Sequence, residues 1–195
     1  MVQTASTMLP LGTAAPAFRL PDVVSNRVFA LESFAGKQAL LVMFICRHCP
    51  YVQHVKEELV RLGKDYENSP LGIVAISPNP PEQYPDDAPE KLAEMARDSG
   101  FRFPLLFDES QDVASAYAAA CTPDFYLFDE SRQLVYRGQL DDSRPGNGKP
   151  VNGKDLRQAI QAVLGGKPVP QTQKPSLGCN IKWRAGKAPS YFQRS

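Results

Sequence analysis

An α/β fold built around at least one strand–helix–strand unit is predicted by three features of this 195-residue chain. Two short runs rich in strand formers, Leu40–Ile45 and Leu71–Ile76, carry no polar residue, which is the pattern of strands buried on both faces. Between them Tyr51, Val52, Val55, Leu59 and Leu62 recur at helical spacing, with His54, Lys56, Glu57 and Arg61 in the gaps. Ahead of the first run, two alternating stretches flank a polar turn and read as a β-hairpin. The crossover between the two buried strands is expected to be right-handed.

The remaining elements follow in order. The hairpin is Ala17–Leu20 and Arg27–Leu31 about Ser25-Asn26. After the second buried strand, residues 79–89 carry Pro80, Pro81, Pro85 and Pro89 with Asp86 and Asp87. This is an irregular loop at the carboxyl end of a strand, where open α/β sheets meet their ligands, and equally a plain solvated connector. Glu90–Ser99 is a helix through Leu92, Met95 and Ala96, stopped by Gly100. Phe103–Phe107 is a short strand whose proline places it at an edge or a strand start. Asp112–Ala120 is an alanine-rich helix. Ala120–Asp129 and Gln133–Arg137 form a second hairpin, 141–153 is a loop, and Asp155–Leu164 is an amphipathic helix ended by Gly165-Gly166. This divides the chain into an extension, 1–9, one domain, 10–165, and a C-terminal arm, 166–195. The arm has four prolines and no sustained period, yet holds Cys179, Ile181 and Trp183. It is either wrapped on the body or a loose tail, and its apolar residues favour wrapping.

Composition excludes several functions. Twenty-two basic against twenty-one acidic residues leave a net charge of +1, so neither nucleic acid nor an anionic membrane is an expected partner. Residues 1–16 lack a basic head and an apolar stretch of signal-peptide length, which implies a cytoplasmic chain. Four cysteines are too few for a disulfide scaffold at this size. There is no internal repeat and no phosphate-binding glycine loop.

The chemistry is expected where the first buried strand runs into its helix, at Cys46-Arg-His-Cys-Pro50. Pro50 suits the first helical position, which has no intrahelical use for its N–H. Cys49 then falls at the N-cap, where unpaired backbone N–H groups and the positive helix end stabilise a thiolate. Cys49 is therefore the expected nucleophile. Cys46 lies close enough for a reversible disulfide, and His48 can donate to a sulfur or take its proton near neutral pH. A zinc site would need two further ligands, commonly a second Cys or His pair. No such pair is present: the two histidines, His48 and His54, lie in this turn and in the helix that follows it, and Cys121 and Cys179 are single.

The element order, together with Cys-x-His-Cys-Pro-Tyr-Val, Cys121-Thr-Pro-Asp, Arg137-Gly-Gln-Leu-Asp-Asp142, Arg144-Pro-Gly-Asn147 and Gly178-Cys-Asn-Ile-Lys-Trp183, resembles the AhpC/TSA-related, peroxiredoxin-like proteins of thioredoxin fold that contain Cys-x-x-Cys. The resemblance spans about residues 10–165. It implies a thioredoxin fold with an N-terminal β-hairpin, a central mixed sheet flanked by helices, and a C-terminal arm. It also implies a cis bond at Thr122-Pro123, exposing the Thr122 backbone to an extended substrate chain. The two parent families differ on roles: Cys49 matches the attacking cysteine of peroxiredoxins, Cys46 that of thioredoxin. Peroxiredoxins place threonine where this chain has Cys46, and arginine where it has Pro123. Those groups stabilise charge on peroxide oxygens, so fast peroxide reduction is not expected. The buried carboxylate that thioredoxin carries before its cysteines is replaced by Leu40.

The expected function is thiol-disulfide oxidoreduction without a bound cofactor. Cys49 attacks a protein disulfide or oxidised thiol, Cys46 releases the product by closing a redox-active disulfide, and thioredoxin or glutathione supplies electrons, as the resemblance implies. The rivals are a slow thiol peroxidase and a metal-binding or copper-delivery protein using Cys46, Cys49 and a histidine. Cys121, two residues before Pro123, is expected beside the motif, and Cys179 is expected to be a buried structural thiol rather than a third redox centre.

Overall fold

In the computed structural model, residues 3–192 are described. The body is a five-stranded sheet made of β4 (Ala39–Phe44), β5 (Leu71–Ser77), β6 (Leu105–Phe107), β8 (Asp124–Phe128) and β9 (Leu134–Gly138), in the order β6-β5-β4-β8-β9. β4, β5 and β6 are parallel, while β8 runs antiparallel to both β4 and β9. The sheet is mixed, and the short strand containing Leu105 lies at its edge, as its proline predicts. β4 sits at the centre with every residue buried. Its side chains alternate between two cores: Leu41 and Met43 face α1 (Pro50–Asp65), α2 (Pro89–Ser99) and α4 (Lys154–Leu164), while Leu40, Val42 and Phe44 face Tyr117, Tyr126 and Phe128.

The N-terminal hairpin is present as β2 (Arg19–Pro21) and β3 (Val28–Ala30). α2 stops at Gly100, whose φ of 70° is the left-handed cap glycine adopts at little cost. α3 (Asp112–Ala116) is four residues shorter than its alanine content predicts. The chain leaves the helix at Tyr117, which is fully buried against Phe44, Tyr126 and Phe128 and donates its hydroxyl to the Pro16 carbonyl. Ala118 then takes a φ of 49° to start the return towards β7 (Cys121–Thr122). Tertiary packing here overrides local propensity.

The extension and the arm fold together. β1 (Gln3–Ala5) pairs antiparallel with β10 (Leu177–Asn180), which pairs on its other side with β7, forming a second, three-stranded sheet. Beyond β10 the arm is held by Ile181, which is fully buried, and by hydrogen bonds from the Ile181, Lys182 and Arg184 N–H groups to Ala120 O, Asn79 Oδ1 and Gln111 Oε1. Wrapping is thus the outcome, and Cys179 is buried as expected. No helix among the described residues is long and apolar enough to cross a membrane.

A buried carboxylate does exist, on a different strand from the one that thioredoxin uses. Asp124 is fully buried opposite Phe44 and accepts hydrogen bonds from the Tyr126 hydroxyl, at 2.9 Å, and the Phe125 N–H, at 3.2 Å. Burial pushes its pKa up to about 7, against about 3.9 in an unfolded chain. The native state therefore holds a proton that the unfolded chain has released, and the stabilisation present below pH about 4 is lost as pH rises towards 7. Asp124→Asn should remove this dependence and raise stability at pH 8 by up to roughly 4 kcal/mol, read from urea unfolding at pH 5 and pH 8. Equal slopes of stability against pH in the two proteins would contradict it.

Candidate active site

β4 ends at Phe44, and the Ile45 N–H still bonds to Ile76 O on the neighbouring strand, at 3.0 Å. The chain then turns through Cys46, Arg47 and His48 into α1, with Cys49 at the N-cap in extended conformation and Pro50 at the first helical position. The Cys49 carbonyl accepts the first helical hydrogen bond, from Gln53 N–H at 3.0 Å. The turn packs against a cis Thr122-Pro123 bond, the geometry that the resemblance implies.

Three sulfurs meet there. Cys49 Sγ lies 2.8 Å from Cys179 Sγ and 3.1 Å from the Thr122 carbonyl oxygen, while Cys46 Sγ lies 3.1 Å from Thr122 Oγ1. None of the four cysteines is in a disulfide, and all are buried. Hydrogen bonds from the Cys179 and Cys46 thiols hold the Cys49 pKa well below the usual thiol range, and the Val52 and Cys179 backbone N–H groups act in the same direction against the cost of burial. The Thr122 carbonyl oxygen, 3.1 Å away, also opposes a negative sulfur. Burial, the bond to Cys49 and the nearby Asp87 charge push Cys46 up. Cys179 is pushed up first by its bond to Cys49. The cluster thus has one sulfur suited to ionise and two suited to donate.

Asp87 organises the turn, and no local pattern in its proline-rich loop singles it out from Asp86. It is fully buried. Its Oδ1 accepts the Arg47 N–H at 2.7 Å and the His48 N–H at 3.2 Å; its Oδ2 accepts the Asn79 amide at 2.9 Å and meets His48 Nδ1 at 2.5 Å. The loop is therefore part of the site and not a solvated connector. Asp87 orients the imidazole with its Nδ1–H towards the carboxylate, leaving Nε2 buried without a hydrogen-bond partner among the described residues. The ring stacks on Tyr84 at 4.9 Å. Cys46, His48 and Asp87 offer ligand-type atoms within 4.8 Å of one another. However, both Asp87 oxygens are already occupied by N–H donors, so this donor set suits orientation better than metal binding. Cys49 is not in that group, and His54 is engaged elsewhere, with Ser143 Oγ at 2.8 Å.

The structure therefore gathers Cys46, His48, Cys49, Thr122 and Pro123 as predicted, and places Cys121 next to Thr122, with its Sγ 3.7 Å from the Pro123 carbonyl. Burial and the neighbouring Asp124 push the Cys121 thiol up. Cys179 is buried, as expected, and its sulfur lies 2.8 Å from Cys49 Sγ because β10 runs alongside β7 with Cys179 opposite Thr122.

The AhpC/TSA family model matches residues 11–137. A Mycobacterium tuberculosis (strain H37Rv) protein named "Putative peroxiredoxin Rv2521" is 33% identical over 117 residues, covering 60% of this chain and 68% of that protein. The crystal structure of an uncharacterized conserved protein from Geobacillus kaustophilus is 53% identical with a TM-score of 0.92, covering 94% of this chain and 97% of that one. A thiol:disulfide interchange protein of the thioredoxin family from Chlorobium tepidum is 18% identical with a TM-score of 0.61, covering 80% and 99% of the two chains. That last likeness shows the thioredoxin-like fold alone.

Asp87→Asn keeps the shape of the side chain but replaces one acceptor oxygen with a donor, leaving it facing either the Asn79 amide and the His48 Nδ1–H or the Arg47 and His48 backbone N–H groups. The variant should lose about 2–3 kcal/mol of stability in urea unfolding. Removing the charge should also lower the Cys46 pKa, read from thiolate ultraviolet absorbance. Unchanged stability would show that Asp87 does not hold the turn.

Proposed function

The chain belongs to the AhpC/TSA family, and from that premise we propose that it is a thiol-disulfide oxidoreductase whose nucleophile is Cys49. The observation that carries this reading is the position of the Cys49 sulfur, at the start of α1, 3.1 Å from the Thr122 carbonyl oxygen and 2.8 Å from the Cys179 sulfur. A thiolate is the attacking species in disulfide exchange. The Cys49 thiolate attacks one sulfur of a substrate disulfide, forming a mixed disulfide and releasing the other sulfur as a thiolate. Cys46 then attacks Cys49, the remaining substrate thiolate leaves, and the His48 imidazole takes the Cys46 proton. The substrate gains two electrons and the protein holds a Cys46–Cys49 disulfide. Thioredoxin or glutathione returns it to the dithiol. An extended protein substrate would pair with the Thr122 backbone while its sulfur is attacked.

Family membership also favours a second reading, slow reduction of peroxides. In that reaction Cys49 becomes a sulfenic acid as the O–O bond breaks, and condensation with Cys46 forms the disulfide and releases water. Cys46 and Pro123 stand where peroxiredoxins place the threonine and arginine that stabilise the departing oxygen, so this rate should be low.

Two measurements test these readings. With insulin as substrate and thioredoxin or dithiothreitol as reductant, Cys49→Ser should fall to background, and Cys46→Ser should accumulate a mixed disulfide on Cys49. A hydrogen peroxide rate matching that of a dedicated peroxiredoxin would put the second reading first. Alkylation by iodoacetamide, followed residue by residue, should leave the Cys49 rate flat between pH 8 and pH 5, because its lowered pKa keeps the thiolate present. An ordinary thiol, with a pKa of about 8.5, slows about tenfold per pH unit over that range. Such slowing at Cys49, or faster reaction at Cys46, would exchange the two roles.

A further inference from the structure

The place where an external chain would pair is filled by the protein's own arm. β10 runs antiparallel to β7 with Cys179 opposite Thr122 and Asn180 opposite Cys121, which is the alignment expected of an extended peptide presenting a sulfur to Cys49. The fit depends on a glycine just before that sulfur. A Cβ built on Gly178 would lie 2.0 Å from the Thr122 carbonyl oxygen, so no larger residue lets the strand approach this closely. The strand is also fastened on both flanks. The Ser6 N–H bonds to Ser176 O and the Ser176 N–H to Ser6 Oγ, both at 3.0 Å. Gln111 clasps the far side through Lys182 O and the Arg184 N–H, both at 2.8 Å. With the arm in place, Cys49 has no solvent-exposed surface and Cys179 only 2%.

We propose that Leu177–Asn180 is a built-in substrate strand, and that Cys179 is the sulfur with which Cys49 forms a reversible disulfide when no external chain is bound. This rests on the reading of Cys49 as the nucleophile. With oxidised glutathione as oxidant, and with β10 lifted from Thr122, the Cys49 thiolate attacks one glutathione sulfur, giving a mixed disulfide and releasing one glutathione thiolate. Cys179 next attacks Cys49 Sγ, the second glutathione leaves, and the Cys179 proton passes to it. Two electrons go from the Cys49 and Cys179 sulfurs to glutathione, and Cys46 stays a thiol. When a substrate strand displaces β10 from Thr122, its sulfur takes the place of Cys179, and Cys46 closes on Cys49 to release it. The arm therefore competes with substrate for one backbone edge and one sulfur.

Disulfide mapping on the full chain tests this. Reduced protein is treated with limiting oxidised glutathione, quenched in denaturant with N-ethylmaleimide, digested, and analysed by mass spectrometry. The expected result is a Cys49–Cys179 peptide pair, with Cys46 and Cys121 alkylated, in wild type and in Cys46→Ser alike. In Gly178→Val the Cys49–Cys179 fraction should fall by about tenfold, an exchange constant worth about 30 mV, with Cys46–Cys49 taking its place. The wild-type map decides by itself if that variant does not fold. A wild-type Cys46–Cys49 pair with Cys179 alkylated, or Cys49 left joined to glutathione, overturns the built-in strand while preserving Cys49 as nucleophile. Cys49 recovered alkylated, with no disulfide to any partner, overturns both readings.

Discussion

The site depends on one close approach, the 3.1 Å separation between the Cys49 sulfur and the carbonyl oxygen of Thr122. It joins the start of α1 to the cis bend between β7 and β8, two segments 73 residues apart. Each side is built so that the approach is possible. β4 and β8 are neighbours in the central sheet, with Phe44 opposite Asp124, so the turn after one strand and the bend before the other leave the sheet at the same end. α1 is then fixed across that end by Val52, Val55, Leu59 and Leu62, all in the core shared with Leu41 and Met43. Fully burying an aliphatic side chain of this kind contributes roughly 1.5–3 kcal/mol. The sulfur geometry is therefore a consequence of core packing and needs no local strain.

A buried thiolate is costly unless its charge is met. Here two sulfurs and two backbone N–H groups meet it, while burial, the bond to Cys49 and the nearby Asp87 charge push the Cys46 thiol up. Opposite shifts in neighbouring groups divide their roles in the proposed exchange: the ionised sulfur attacks, and the protonated ones supply hydrogen bonds and, later, protons. N–H donors from the Cys46–His48 turn and the Asn79 amide stabilise the Asp87 carboxylate where it is buried.

The arm is ordered despite its prolines because several small gains act together. Holding a residue costs roughly 1–2 kcal/mol of backbone entropy, and proline lowers that cost by restricting the unfolded chain. Against this, β10 has pairing partners on both edges, and Ile181 and Cys179 are buried. Each backbone hydrogen bond contributes about 1 kcal/mol net. The balance is close enough that exchange with another extended strand is physically reasonable.

The local structure of the site could be read from sequence because its causes are local. An apolar run followed by helical periodicity, with proline after Cys49, determines strand, turn and N-cap wherever that segment is placed. The element order and the Thr122-Pro123 motif likewise conveyed the thioredoxin-like arrangement. The contributions of Asp87, Asp124 and Cys179 were decided by tertiary structure alone. Asp87 and Asp86 have the same composition and the same loop, and only the fold turns one of them under the Cys46 turn while leaving the other exposed. Asp124 becomes a buried acid through its register opposite Phe44. Cys179 reaches Cys49 across a separation of 130 residues because β10 chose β7 as its edge. Non-local pairing of that kind depends on which edge is open once the core has formed, and periodicity within a segment carries no record of it.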